Sequence, residues 1–240
     1  HIKQDQFRIE SLCNSTPFVR ISDMKITIND IEISGLENIT ILEAANQQGI
    51  EIPTLCHSPN LAPIGVCRVC VVEVQGRPKL VGACHTPIEE GMVIYTQSPK
   101  VLKARRVNVE LLMTAHTGDC VTDPNAQNCE LHKLASDLEV GAPRFHLTMP
   151  RHFPIEEENP YVRRDLSKCI LCRKCISACS EIAGKGILCI GYRGFESKVV
   201  YGQDEALDTD ICQDCGICIE YCPTGALSRP RLIHKTESLV

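Results

Sequence analysis

Tryptophan is absent from the 240-residue chain, and aromatic residues make up only 4% of it although hydrophobic residues reach 43%. The apolar material is therefore mostly small aliphatic side chains and cysteine, and cores of that kind are thin enough to need metal or covalent staples. Basic charge is also short: 25 Lys and Arg face 30 Asp and Glu, for a formal charge of -5. That excludes the concentrated basic face that phosphate binding requires, so no nucleic-acid partner is expected. Lys103, Arg105 and Arg106 come nearest to such a face and read as the solvated side of a helix. No apolar run approaches the roughly 18 residues of a membrane span. Residues 1–23 lack the apolar centre of a signal peptide, so a soluble, cytoplasmic protein without a membrane span is expected. GKGILCIG has neither the spacing nor the strand-then-helix setting of a dinucleotide fingerprint, and no Walker lysine motif occurs.

What is abundant is cysteine, with 16 residues. Cys169, Cys172, Cys175 and Cys179 stand in CILCRKCISAC, and Cys212, Cys215, Cys218 and Cys222 stand in CQDCGICIEYCP. Thiols two residues apart rarely reach disulfide geometry. Zinc sites usually gather two separated Cys-x2-Cys pairs, whereas C-x2-C-x2-C-x3-C-P is the run that holds 4Fe-4S clusters in two-cluster ferredoxins. In that arrangement the fourth cysteine of each run serves the other cluster. The expected sets are Cys169, Cys172, Cys175 and Cys222 for one 4Fe-4S cluster, and Cys212, Cys215, Cys218 and Cys179 for a second. So many thiols in cluster spacing fit a reducing compartment, which makes the sequons at Asn14 and Asn38 coincidental.

Along the chain, residues 1–23 read as an N-terminal extension holding the isolated Cys13. Alternating Ile26, Ile28, Ile31 and Ile33 about Asn29-Asp30 predict a hairpin. Thr40 caps a helix ending at Gly49. Strands are expected at Val71–Val74, Leu80–Ala83 and Met92–Thr96. A helix opens at Pro99 with Val101, Ala104, Val107, Leu111 and Ala115 on its apolar face and Arg105 and Arg106 pointing away. Residues 130–140 suggest a short helix, MPRHFPIEEENP an acidic, Pro-rich linker, and 187–190 with 198–201 a hairpin. Cys189, in the apolar ILCI, reads as a buried thiol. The expected organisation is α+β: a β-grasp plant-type ferredoxin domain (24–97), a short helical His/Cys cluster segment with linker (98–160), a bacterial two-cluster ferredoxin domain (161–230) and a tail (231–240).

Cys56, Cys67, Cys70 and Cys84 follow the logic of a plant-type 2Fe-2S site, with a close Cys-x2-Cys pair and a remote cysteine returned by a strand. His57 and His85 each follow a cysteine directly, and adjacent side chains point apart, so neither is expected to bind iron. His116, Cys120 and Cys129 form a third group in HTGDCVTDPNAQNCEL.

From TILEAA through IPTLC, GVCRVCVVEV, HTGDC, NCEL and CILCRKC to CPTGAL, residues 24 to about 228 resemble one iron–sulfur portion. It is shared by the large iron–sulfur subunit of complex I, the small diaphorase subunit of NAD-linked hydrogenases, and the N-terminal regions of iron-only hydrogenases and NAD-linked formate dehydrogenases. The resemblance implies one 2Fe-2S cluster, two 4Fe-4S clusters, and a third 4Fe-4S cluster held by an H-x3-C-x2-C-x5-C motif. Here Asp123 stands where that motif has its middle cysteine. Asp123 is then either the fourth ligand of the third site or the turn residue before Pro124. The resemblance further implies an electron-transfer subunit between a flavin/NAD(P) subunit and a catalytic metal-containing subunit. A free multi-cluster carrier and a zinc-stabilised scaffold are the alternatives.

Overall fold

The computed structural model describes residues 24–35, 38–120, 128–145 and 151–230. Cys13, Asp123 and the expected N-terminal extension and tail lie outside them. Ile26 and Ile28 alternate with Lys25 and Thr27 in β1 (Lys25–Ile28), which turns back into β2 (Ile31–Ser34) with Ile26 opposite Ile33. Asn29 and Asp30 both take left-handed backbone (φ 48° and 67°), the paired geometry that a two-residue hairpin turn requires. Thr40 opens α1 (Ile41–Gln47) with a capping box: Thr40 Oγ1 accepts from the Glu43 amide, and Glu43 Oε2 accepts from the Thr40 amide at 2.7 Å. Two otherwise orphaned donors are thereby satisfied. β3 (Val71–Val74), β4 (Val81–Gly82) and β5 (Val93–Tyr95) complete a five-stranded sheet in the order β2-β1-β5-β3-β4, in which only β1 and β5 run parallel. Ile41, Ala44 and Ala45 of α1 pack on Ile26, Ile28, Val72 and Ile94 of the sheet.

Ser98 caps α2 (Pro99–Ala115), with Pro99 in its first turn. The buried stripe of α2 is Val101, Arg105 and Val109, and Leu111 is 48% exposed. The expected orientation is thus turned, and Arg105 is the reason. It is 1% exposed, with Nε donating to Val69 O (3.0 Å) and Nη2 to Val71 O (3.1 Å) and Thr96 O (3.3 Å). Carbonyls at the margin of the sheet need donors, and a guanidinium fork supplies several from one side chain. Arg106 stays outside, its Nε on Leu138 O. α3 (Glu130–Asp137) lies against α2, burying Leu131 and Ala135 beside Val109.

The remaining elements are short: β6 (Arg163–Arg164), α4 (Lys174–Ser177) extended by a wide turn over Ala178–Ile182, β7 (Leu188–Gly191), β8 (Lys198–Tyr201), α5 (Thr209–Cys212), α6 (Ile217–Glu220) and β9 (Leu227–Ser228). β7 and β8 form the expected hairpin, and β6 pairs antiparallel with β9, so the two ends of this region close on each other. Cys189, expected inside, is exposed, because alternation along β7 turns Leu188 inward and Cys189 outward. Within the stretch expected as a linker, Arg151 and Asn159 are buried and most residues between them are exposed. Arg151 is 6% exposed and donates to Cys169 O and Ser197 O. Asn159 donates to Leu207 O and accepts from the Tyr161 and Val162 amides. Among the described residues no helix is long and apolar enough to cross a membrane.

Candidate metal centres

The loop before β3 carries Cys56, Cys67 and Cys70, and the turn after β4 returns Cys84; all four are buried. They fall into two pairs. The Cys67 thiol hydrogen-bonds the Cys56 sulfur, which also accepts from the Cys67 amide at 3.4 Å, and Cys56 is drawn down to about 5. The Cys84 thiol bonds the Cys70 sulfur in the same way and draws it down to about 7, while Cys67 and Cys84 are pushed up. Two thiols converging on each of two points suit a two-iron core, in which each iron takes two thiolates. His85, expected to turn away, sets Nδ1 3.4 Å from the Cys84 sulfur. Its ring lies so close over Gly82 that a Cβ there would collide with it. His85 is thus held beside the sulfur of Cys84.

The two duplicated runs behave differently. Cys169, Cys172, Cys175 and Cys222 line one cavity, together with Leu166, Val199 and Leu227. Cys179, Cys212, Cys215 and Cys218 line another, with Ile187, Leu188 and Leu207. Cys222 of the later run thus lines the pocket of the earlier one, and Cys179 of the earlier run that of the later. Burial, reinforced by the neighbouring thiols, pushes Cys172 and Cys218 up to about 12; burial also raises Cys169 to about 11, against a backbone amide that lowers it. Such thiols ionise readily only beside a cation, and a metal centre supplies one. The loops share one backbone device. Leu171 and Arg173 flank Cys172 with φ of 54° and 65°, and Asp214 and Gly216 flank Cys215 with 53° and 63°. This curls each run around its cavity.

His116 ends α2, and Cys129 opens α3. His116 Nε2 lies 2.8 Å from Cys120 Sγ and 3.7 Å from Cys129 Sγ, and its Nδ1 lies 2.8 Å from Lys168 O. A hydrogen bond from the Cys120 thiol, with His116 beside it, draws Cys129 down to about 4. A fourth residue joins these three: His132, in the first turn of α3, brings a ring nitrogen within the same 4.8 Å grouping. The sequence motifs above do not include it. The signal that could have found it is the Cys-x2-His spacing at 129 and 132.

The sites meet in one apolar cluster. Leu55, Cys56, Cys67, Val69, Val109, Cys129, Leu131, Ile170 and Cys172 pack together, so the first loop, the α2–α3 pair and the first duplicated run share a core.

Comparison with known proteins gives three successive family matches: a 2Fe-2S iron–sulfur cluster binding domain over residues 22–99, the NADH-ubiquinone oxidoreductase-G iron–sulfur binding region over 105–144, and the ferredoxin-like domain of NADH-quinone oxidoreductase subunit 3 over 159–228. The chain is 38% identical over 213 residues to the NADP-reducing hydrogenase subunit HndD of Solidesulfovibrio fructosivorans, covering 86% of this chain and 36% of that protein. It is 34% identical over 205 residues to a subunit of the NADH-quinone oxidoreductase of Rickettsia bellii, covering 85% and 30%. The chain thus spans about a third of the length of these curated relatives. A crystal structure of an NAD+-reducing NiFe hydrogenase in the H2-reduced state matches with a TM-score of 0.72 at 30% identity, over 86% of this chain and 87% of that one.

Proposed function

The chain belongs to the family of iron–sulfur subunits found in NAD(P)-linked hydrogenases and NADH-quinone oxidoreductases, and from that premise we propose that it relays single electrons between a flavin/NAD(P)-binding subunit and a catalytic metal-containing subunit. In this reading residues 24–97 form a β-grasp 2Fe-2S domain. Residues 98–160 form the helical His/Cys segment, and 161–230 a two-cluster ferredoxin domain.

Cys56 with Cys67, and Cys70 with Cys84, would hold the two irons of a 2Fe-2S cluster. Cys169, Cys172, Cys175 and Cys222 would hold one 4Fe-4S cluster, and Cys212, Cys215, Cys218 and Cys179 the other. When bound, each cluster stores one electron at a potential tuned by its surroundings. The chain's own residues provide those surroundings. Leu166, Val199 and Leu227 close one cavity against water. Arg105 and Arg151 bring buried positive charge to neighbouring cysteines. The His116 segment, for which the resemblance implies a further 4Fe-4S cluster, has Asp123 where the motif has its middle cysteine.

The observation that carries this reading is the shared core of Cys56, Cys67 and Cys172, which supports direct transfer between the first two clusters. The test is to purify the chain with whatever it binds under anaerobic conditions and follow its EPR signals after NADH or NADPH is added. Pyridine nucleotide should reduce the clusters, bringing up the 2Fe-2S and 4Fe-4S signals, only when a flavin subunit co-purifies. A chain that isolates alone, and is reduced at equal rates by unrelated soluble redox proteins, would favour the free carrier instead.

A further inference from the structure

The third site holds a donor set that the resemblance does not account for. Nε2 of His116, the sulfurs of Cys120 and Cys129, and a ring nitrogen of His132 all lie within 4.8 Å of one another. Among the described residues this is the one grouping of three or more such donors so tight. The eight cysteines of the duplicated runs instead line two hollows in sets of four, with no three donors drawn into such a grouping.

That contrast has a direct chemical meaning. Each ligand of a cubane binds a different iron, so its ligands are held apart by the inorganic core plus two outward bonds. A single tetrahedral ion, with metal–sulfur bonds of about 2.3 Å and metal–nitrogen bonds of about 2.0–2.1 Å, places its donors about 3.3–3.8 Å from one another. The 3.7 Å between His116 Nε2 and Cys129 Sγ falls in that range, and the 2.8 Å to Cys120 Sγ is a hydrogen-bond distance that an ion set between the two would open. The surrounding shell is also that of a metal site. Lys168 O sits 2.8 Å from His116 Nδ1, and a proton held there leaves the lone pair of Nε2 facing the two sulfurs. His132 and Cys129 share the first turn of α3, His116 caps the end of α2, and Cys120 lies in the loop that follows. Two helix ends thus converge on one point.

We propose that His116, Cys120, Cys129 and His132 bind one tetrahedral divalent ion, zinc by its donor preference, and that Asp123 is not a ligand. Two thiolates and two imidazoles with no open position form a closed, structural zinc set. The ion carries no electron. It fastens the α2–α3 pair to the ferredoxin region, where the Thr117 and Gly118 amides donate to Ser167 O and the Glu130 amide donates to Pro223 O at 2.7 Å.

The experiment is metal analysis of the anaerobically purified, cluster-loaded full chain, with iron and zinc counted per chain and the 2Fe-2S and 4Fe-4S EPR signals recorded. One zinc per chain is expected. His132→Ala should lose that zinc and keep both the iron content and the EPR signals, whereas Asp123→Ala should change neither metal. His132→Cys, which restores a fourth donor, should retain zinc even if His132→Ala proves too unstable to isolate. With cobalt supplied in place of zinc, the intense visible bands of a tetrahedral thiolate site should appear in the parent chain and weaken several-fold in His132→Ala. Iron in excess of the other clusters with no zinc, lost in Asp123→Ala but kept in His132→Ala, would overturn the proposal and return a cluster to this site.

Discussion

Arg105 shows how much one side chain can decide. Its guanidinium satisfies three backbone carbonyls and lies close enough to Cys70 for the thiolate to feel its charge. Arg105→Met keeps the bulk of the stem, strips those carbonyls of their donors at about 1–3 kcal/mol, and removes a buried cation from the 2Fe-2S neighbourhood. One unit charge at an effective dielectric near 20 is worth roughly 1–2 kcal/mol there, and about 1.4 kcal/mol is 59 mV for a one-electron couple. The 2Fe-2S potential should therefore fall by some tens of millivolts, as read by an EPR-monitored redox titration. An unchanged potential would separate Arg105 from the cluster's electrostatics. Glu110 is the second informative residue. Its carboxylate accepts from the Arg144 amide (2.6 Å) and guanidinium, and these bonds draw it down to about 2. A carboxylate with a depressed pKa contributes fully above its unfolded value and loses that contribution as pH falls through the folded one. Protection of the Arg144 amide against hydrogen exchange should be complete above about pH 4.5, decline toward pH 2, and be absent in Glu110→Ala at every pH. Protection that outlasts the Glu110→Ala change would assign the ordering of the Arg144 amide to other contacts.

At the scale of elements the two halves of the chain are stabilised by different means. The sheet and α1 enclose a core of Ile26, Ile28, Ile41, Val72, Val74 and Ile94, to which Cys70 and Cys84 contribute the only thiols. The ferredoxin region has strands and helices of four residues or fewer, and Cys169, Cys175, Cys179 and Cys212 belong to its core. Helices so short have no stability of their own, and metal binding is then folding free energy. Removing metal with a chelator under reducing conditions should abolish amide protection from Val162 to Leu227 while the amides of β1, β3, β5 and α1 stay protected. Simultaneous loss in both regions would show that the sheet also depends on its cluster. The burial that raises Cys169, Cys172 and Cys218 points the same way. In the metal-free chain their raised folded pKa values favour the native state below about pH 8.5, and that contribution is lost as pH rises toward 11–12.

For the whole molecule the decisive feature is that each cavity draws on both runs. Cys222 sits with Cys169, Cys172 and Cys175, and Cys179 with the later run, while β6 and β9 tie the ends together. Cys222→Ser should therefore damage the cluster of the earlier run, costing about one cubane's iron, and leave the 2Fe-2S signal intact. EPR of the reduced variant with an iron assay checks this. Damage confined to the Cys212, Cys215 and Cys218 cluster would mean that each run serves itself. Because Cys56, Cys67 and Cys172 share one core, the same variant should also slow electron transfer out of the 2Fe-2S site in the assembled complex.

What the sequence determined by itself is local. Cysteine spacing implied the class of each ferredoxin-type centre, because C-x2-C-x2-C forces the backbone to wrap one object, and Leu171, Arg173, Asp214 and Gly216 show that wrapping in their left-handed φ angles. The hairpin at Asn29-Asp30 and the Thr40–Glu43 capping box were legible for the same reason, since their partners lie within a few residues. Tertiary structure decided what depends on a distant surface. The α2 stripe placed Arg105 outside until the carbonyls of Val69, Val71 and Thr96 offered it partners more than five residues away. Cys189 read as buried because its neighbours are apolar, but only pairing with β8 sets which face of β7 turns inward. His132 had no visible partner in the sequence; α3 packs on α2 through Leu131, Ala135 and Val109, and that packing carries its ring to His116 and the two thiols. Periodicity reports how a segment is patterned, whereas the surface it meets is a property of the folded chain.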